Sequence, residues 1–390
     1  MKRSADRILT THAGSLPRPH DLLDLMKARL SGQPYDPAAY DQRVRSAVAD
    51  IVKKQVETGI DVVSDGEQSK PGFFSYVGER LDGLEPRPGK KTGYFAAEVK
   101  TFPEYYEDYF KQAMLGGTVA PFVPLVCTGS IKYRDLAPLK RDIENLKAAV
   151  AAANAQNAFM PATGLGYVGF NEYYKTDEEY LHALGAALRT EYKVIVDAGL
   201  LLQIDEPFLC DILIDPALDE KRKRRTAEVY VEVINESLKG IPPEKVRFHT
   251  CYGINEGPRI HDAPMEEVAG YMLKVNAGAY SFEAANPRHE HEYHVWEKIK
   301  LPDGKTLIPG VITHASNIVE HPELIAERLV RFANLVGREN VIAGADCGFS
   351  SQATYKTEVH PTVVWAKFRA MAEGARLATQ QLWGRAGATT

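Results

Sequence analysis

The chain has 390 residues, 44% of them hydrophobic and 25% charged, with a net charge of −5 and a pI near 6.2. That composition supports one large domain or two small ones. It offers no basic excess for a nucleic acid or an anionic membrane, and no apolar run approaches the ~18–20 residues that span a bilayer.

The opening residues, Met1 to His12, lack the apolar core of a signal peptide. The four cysteines, Cys127, Cys210, Cys251 and Cys347, are few and widely spaced. The expectation is a cytoplasmic chain whose cysteines are thiols or metal ligands, not disulfides.

Short apolar runs alternate with amphipathic stretches, the pattern of an α/β fold. In chain order the expected strands are Ile8–Ala13, Ile60–Asp65, Phe159–Thr163, Leu200–Asp205, Val246–Cys251, Ala279–Glu283, Leu307–Thr313 and Val341–Cys347. Helices are expected at Gln42–Thr58, Glu178–Asp197, Glu220–Leu238, Met265–Val275, Pro322–Val336 and Pro361–Leu382. Eight strands with intervening helices predict a (β/α)8 TIM barrel. Tyr94–Val99 and Phe122–Thr128 also read as strands without a crossover helix between them. They are expected to form a β-hairpin excursion around 94–128. Residues 1–383 are expected to be a single domain and 384–390 a flexible tail.

The candidate functional residues fall at the C-terminal ends of these strands, the active-site face of such a barrel. They are Gly14 and Ser15, Asp65 and Glu67, Asp205, Cys251, Glu283, His314 and Cys347. Strand ends also favour Asp, Gly and Pro for turn reasons. His249-Thr-Cys251 is the most specific pattern among them. On a strand, i and i+2 share a face, so an imidazole and a thiolate stand side by side, a pair that suits zinc. The chain has no CxxC pair of the kind that structural zinc sites use. An H-x-C with further ligands on other strands reads as a catalytic zinc. The competing reading is a small core cysteine beside a satisfied buried histidine.

The ordered set Thr11-His-Ala-Gly-Ser-Leu-Pro-Arg18, Asp65-Gly-Glu67, Leu202-Gln-Ile-Asp-Glu-Pro207, His249-x-Cys251-Tyr252, Ser281-Phe-Glu283, Pro309-Gly-Val311, His314 and Asp346-Cys-Gly348 resembles the cobalamin-independent methionine synthase family. It is similar to the catalytic C-terminal half, in the barrel class that family shares with uroporphyrinogen decarboxylase. The resemblance implies a Zn2+ ion held by His249, Cys251, Glu283 and Cys347. It implies an acceptor thiol such as homocysteine, deprotonated on the metal before attacking a methyl donor. Asp205 and Glu67 would face the acceptor's ammonium, Gly14 and Ser15 its carboxylate, and His314 would move a proton near the reacting centre. The expected partners are thus a small-molecule thiol and a methyl or alkyl donor, in methionine biosynthesis. Neither nucleic acid nor membrane is expected, and a homo-oligomer is compatible with the sequence. Glu283 has a competing reading as a strand-end carboxylate paired with a base such as Arg288.

Two departures bear on the donor. The full-length synthase has an N-terminal barrel that helps to hold a polyglutamylated folate. Its folate-side segment also carries a tryptophan, where Met160–Tyr167 has none. A compact donor is therefore expected, in a pocket near Thr163 and His314 with Tyr167 or Phe170 as a wall. Short relatives of the epoxyalkane:coenzyme M transferase type share the H-x-C…C pattern, so thiol addition to an epoxide is the alternative. A corrinoid-linked methyltransferase and a zinc-free decarboxylase are the others. Arg18 and Arg259 are candidates for a sulfonate or carboxylate, or else surface arginines. His289, His291 and His294 read as a solvated helix start, Lys221–Arg225 as a solvated face, and Cys127 and Cys210 as packing residues.

Overall fold

The computed structural model describes residues 3–90, 92–93, 95–111, 117–119, 123–166, 168–253 and 256–384. Eight short strands form the barrel: β1 Leu9–Thr10, β2 Val62–Val63, β3 Asn157–Thr163, β4 Leu201–Asp205, β5 Val246–His249, β6 Ala279–Phe282, β7 Thr306–Ile312 and β8 Ile342–Ala345. Each coincides with an expected strand. They pair in parallel in the order β1-β8-β7-β6-β5-β4-β3-β2. The Asp61 amide closes the ring by donating to Thr10 O at 3.1 Å.

Helices cover the outside, and local chemistry sets their starts. Thr176 caps the helix Asp177–Asp197 by accepting from Glu179 N at 3.1 Å, and three acids in the first turn face the positive end of the helix dipole. Asp219 caps Glu220–Ser237, and Asp36 with Pro37 starts Pro37–Glu57. Their apolar stripes pack on the strands in one continuous core. No helix among the described residues is long and apolar enough to cross a membrane.

Between β2 and β3 the chain leaves the barrel. Leu81–Pro86 pairs antiparallel with Leu125–Tyr133, and Phe170–Asn171 adds a third short strand. The excursion is therefore a hairpin, but its first arm is Leu81–Pro86. The expected arm Tyr94–Val99 is wrong: Ala96–Thr101 is helical and is followed by the helix Pro103–Tyr109. Tyr94, Phe122 and Tyr167 lie outside the described residues. Further helices escaped the periodicity, the longest being His20–Leu30 and Ala137–Ala152. The buried stripe of the second is Leu139, Ile143, Leu146 and Ala149. Alanine carries part of it, so its apolar pattern is faint. It supplies the crossover that precedes β3. The final helix ends at Trp383, where Gly384 takes a left-handed conformation; the rest of the expected tail is outside the described residues.

One buried network ties the excursion to the barrel. Arg80 reaches Asp142 at 2.5 Å and Glu191 at 3.2 Å, all three side chains being almost fully enclosed. Tyr76 and Tyr133 donate to the two Glu191 oxygens at 2.8 and 2.6 Å, and Tyr76 Oη accepts from Thr163 N of β3. Removing one partner of such a set strands buried charge, which costs about 3–5 kcal/mol. Arg80→Met should lower the unfolding free energy by about that amount. Denaturant titration checks this, and a loss below about 1 kcal/mol would show that Glu191 and Asp142 are not buried ions.

Candidate active site

The C-terminal strand ends open into a cavity of about 1120 Å³. Its floor carries Ser15, Glu67, Asp205, His249, Cys251 and Cys347. Its walls come from the excursion and the loop leading into it, including Phe73, Phe74, Leu84, Phe95, Phe110 and Val119. The space thus lies beneath the excursion. The cavity contains the expected metal-ligand group, but Thr163, His314 and Phe170, expected beside it, are not among the described residues that line it.

His249, Cys251 and Cys347 converge, with one donor atom of each inside 4.8 Å of the others. The two sulfurs are 3.2 Å apart. His249 Nδ1 lies 3.1 Å from Ser281 Oγ, whereas Nε2 is buried with no hydrogen-bond partner among the described residues. Burial, aided by nearby Arg247, lowers the His249 pKa to about 3, so the ring is neutral. With Nδ1–H donating to Ser281, the Nε2 lone pair is left for a cation. The bond to Cys251 and burial raise the Cys347 thiol well above its usual range. Such thiols ionise when a cation compensates them. One orphaned imidazole nitrogen and two buried sulfurs fit zinc by softness and by count.

Glu283 stands in a different group, with His314 and Asp346. Its oxygens accept from Arg259 Nη1 at 3.0 Å and Nη2 at 3.3 Å, from Tyr252 N at 2.8 Å and from Asn286 Nδ2 at 3.3 Å. Burial opposes its ionisation, but Arg259, His314 and these donors prevail, and its pKa falls to about 2. Its base is therefore Arg259; Arg288 instead donates to Arg259 O and Ile260 O. Asp346 Oδ1 accepts from Ala284 N and Ala285 N, fixing the turn after β6. The Nε2–H of His314 donates to Gly253 O at 3.1 Å, and its buried Nδ1 has no partner among the described residues. Burial lowers the His314 pKa to about 4.

The acidic side is separate. Asp205 is held by Gln203 Nε2 at 2.7 Å; burial first, then the charge of Glu67, push its pKa well above the carboxylate range. Glu67 has a left-handed backbone, and its Oε2 is buried without a partner among the described residues. Lys70 Nζ lies 3.6 Å from Glu67 Oε1 while donating to Pro161 O. Two buried carboxyls facing one space can receive an ammonium. Glu206, the neighbour of Asp205, braces the backbone, since its Oε2 accepts from Leu165 N and Gly166 N.

Gly14 and Ser15 divide their roles. Gly14 has φ of 129°, a Cβ there would sit 2.8 Å from Pro161 Cγ, and its N–H is spent on His12 Nδ1. Ser15 lines the cavity, its hydroxyl 3.3 Å from Oγ of Ser351, which also lines it. Asp65 Oδ1 holds Glu67 N at 3.0 Å.

Arg18 and Arg259 are not surface residues. Arg18 is buried and donates to Ser350 O and Oγ, Glu67 O and Lys70 O, so it braces loops. His289 is also buried, stacked on Tyr252 at 3.9 Å and bonded to Asp262 and Glu292, which raise its pKa to about 9 against the cost of burial. His291 and His294 are exposed, as expected of a solvated helix start. Cys127 and Cys210 bond Gly129 O and Thr250 Oγ1 and join no ligand group among the described residues.

Residues 8–101 and 164–372 match the sequence profile of the cobalamin-independent synthase family, catalytic domain. The chain belongs to this family. It is an enzyme of the cobalamin-independent methionine synthase type. It is 26% identical over 343 residues to a methionine synthase of Sulfolobus acidocaldarius, covering 87% of this chain and 85% of that one. It is 25% identical over 381 residues to a methionine synthase of Saccharolobus islandicus (strain L.S.2.15), covering 96% and 95%. The barrel superposes on the B12-independent methionine synthase of Shewanella sp. W3-18-1, solved in complex with selenomethionine. That TM-score is 0.74 at 20% identity, covering 97% of this chain and 100% of the other. The stretch the family profile leaves unmatched includes Phe110 and Val119 of the cavity wall.

Sulfurs at 3.2 Å are poised for oxidation when no cation separates them. Metal-stripped protein treated with a mild oxidant should retain two of its four thiols on titration in denaturant, and prior loading with zinc should protect all four. Loss of no thiols, or equal loss with zinc, would contradict that geometry.

Proposed function

We propose that this enzyme transfers a methyl or alkyl group to the sulfur of a small aminated thiol such as homocysteine. His249, Cys251 and Cys347 would hold a zinc ion, with Glu283 as the fourth donor. One observation carries the reading: the orphaned His249 Nε2 and the paired sulfurs open on the same cavity as Asp205, Glu67 and Ser15. Zinc bound there would supply the Lewis acidity that keeps an acceptor sulfur ionised at neutral pH.

The chain's own groups do the rest. Asp205 and Glu67 bind and orient the acceptor's ammonium, and Ser15 Oγ takes its carboxylate. The excursion roofs the cavity and limits water around the attacking sulfur. His314 would be the proton carrier nearest the reacting centre: its Nε2–H holds Gly253, which lines the cavity, and its buried Nδ1 has no partner among the described residues.

The walls speak to the donor. They are largely aromatic and aliphatic, and Lys90, one of two lysines among them, is paired to Glu172 at 3.1 Å. That favours a compact donor over a polyanionic folate tail. The same apolar space supports a second reading, thiol addition to a small epoxide.

Metal analysis should give about one zinc per chain, and Cys347→Ser should weaken zinc binding while the barrel stays folded. Full occupancy in a Cys251→Ser/Cys347→Ser chain would overturn the ligand assignment. Asp205→Asn should raise KM for homocysteine roughly tenfold to a hundredfold, since charge-assisted bonds contribute about 1.5–3 kcal/mol. An unchanged KM would mean that the acceptor has no ammonium there. With one acceptor, kcat/KM should be higher for methylcobalamin or a small alkyl donor than for methyl-tetrahydrofolate triglutamate. A value for the triglutamate of about 10⁴ M⁻¹s⁻¹ or more would refute the compact donor.

A further inference from the structure

The structure gives Glu283 a cationic partner that is itself immobilised. Arg259 is buried and its backbone is left-handed, at φ 57°. A non-glycine residue keeps that conformation only where its surroundings over-determine it. Here Glu98 of the excursion helix Ala96–Thr101 accepts from Arg259 N at 3.1 Å and from His261 N at 2.9 Å, and Arg288 Nε grips Arg259 O at 3.0 Å. The side chain is fixed as well. Arg259 Nε donates to Asp262 Oδ2 at 2.9 Å, and that oxygen is shared with His289 Nε2. Both terminal nitrogens of the guanidinium remain for Glu283.

We infer that Arg259 is a positioning residue: a fixed counter-cation that receives the Glu283 carboxylate when an incoming thiolate takes its place on the metal. The inference rests on the metal–thiol reading above. Its motive is charge. A carboxylate and a thiolate each carry one negative charge, so exchanging one for the other leaves the charge of the ion's shell unchanged. The displaced carboxylate, however, would be a buried anion with only the neutral donors Tyr252 N and Asn286 Nδ2, which is costly. Arg259 removes that cost because it waits in place. In the exchange the bond from the ion to the Glu283 oxygen breaks, a bond to the thiol sulfur forms, and the thiol proton leaves to water. Nothing is oxidised or reduced. Because Arg259 is pinned by Glu98, Asp262 and Arg288, it would stay behind when Glu283 turns toward the metal, and the carboxylate would then have two separate resting places.

The test compares the purified chain with Arg259→Met and Arg259→Lys. Zinc affinity is read by chelator competition. Homocysteine affinity is read from the sulfur-to-cobalt charge-transfer band of the cobalt-loaded form. In Arg259→Met, Glu283 loses its alternative partner. Zinc affinity should then rise about tenfold and homocysteine affinity fall about tenfold, the scale of one charge-assisted bond. Arg259→Lys, which keeps the charge without the planar fork, should shift both in the same directions by less, and it carries the test alone if the methionine variant does not fold. In a Glu283→Gln background, Arg259→Met should move neither constant. A merely structural arginine would lower both affinities together, and that result, or two unchanged constants, overturns the inference. Absence of metal uptake, or of a homocysteine band, in the unmodified chain would refute the metal–thiol reading and the inference with it. Failure confined to the Arg259 variants would refute the inference alone.

Discussion

A ring of parallel strands exists only if the first and last members of the sheet meet, and in this chain they meet through Asp61. Strands β1 and β2 have two residues each, too few for a backbone ladder of their own. The Asp61 carboxylate makes up the shortfall by accepting from Thr10 N at 2.9 Å and Thr10 Oγ1 at 3.2 Å, while Arg7 holds it with two bonds of 2.8 and 2.6 Å. Thr11 Oγ1 adds a bond to Val62 O. Everything at the C-terminal face follows from this closure. Ser15 and Glu67 emerge on either side of the seam, and Cys251 and Cys347 follow β5 and β8. An open sheet would spread these four along an edge, whereas a closed one turns them toward a common centre.

That centre concentrates buried charge, which a protein tolerates only by pairing it. Two arrangements coexist. Around Glu283 the pairing is complete, through Arg259, Tyr252 N and Asn286. Around Asp205 and Glu67 it is incomplete, with Lys70 at 3.6 Å and one Glu67 oxygen without a partner among the described residues. His249 Nε2 is unsatisfied too. Where an interior leaves polar atoms unpaired beside an open cavity, a ligand supplies the missing partners. On the proposed reading, the incomplete side would receive the acceptor and the complete side would hold a displaced carboxylate.

Much of this was legible in the sequence because parallel strands in a barrel are short, apolar and buried on both faces. Ile308 to Ile312 or Leu201 to Asp205 announce themselves in that way. Strand ends followed by Asp-Gly-Glu, Asp-Glu-Pro or His-x-Cys marked the face onto which the cavity opens. What could not be read was any feature decided by distant partners. Tyr94–Val99 looks extended by composition, but Ala96–Thr101 is helical, and Glu98 there is buried against the loop that carries Arg259. His289 sits in a polar string, and its stacking on Tyr252 and its bonds to Asp262 and Glu292 make it interior. Arg288 is the arginine nearer Glu283 in sequence, but Arg259, on the preceding loop, is the one that reaches it. Among buried ions, sequence proximity is a poor guide because long side chains choose partners across the fold.

Glu98 links two parts of the molecule that otherwise look independent. The excursion shapes the cavity wall, and the barrel loops hold the reacting groups. A segment of this kind invites replacement, because a different insertion between β2 and β3 would reshape the roof without touching a strand. Yet the excursion also supplies the carboxylate that keeps Arg259 in its left-handed turn. Recombination of the roof between family members would therefore be silent at the floor only when the incoming segment brings an acid to the same spot. Natural or engineered chimaeras that ignore this would exchange more than the wall they set out to change.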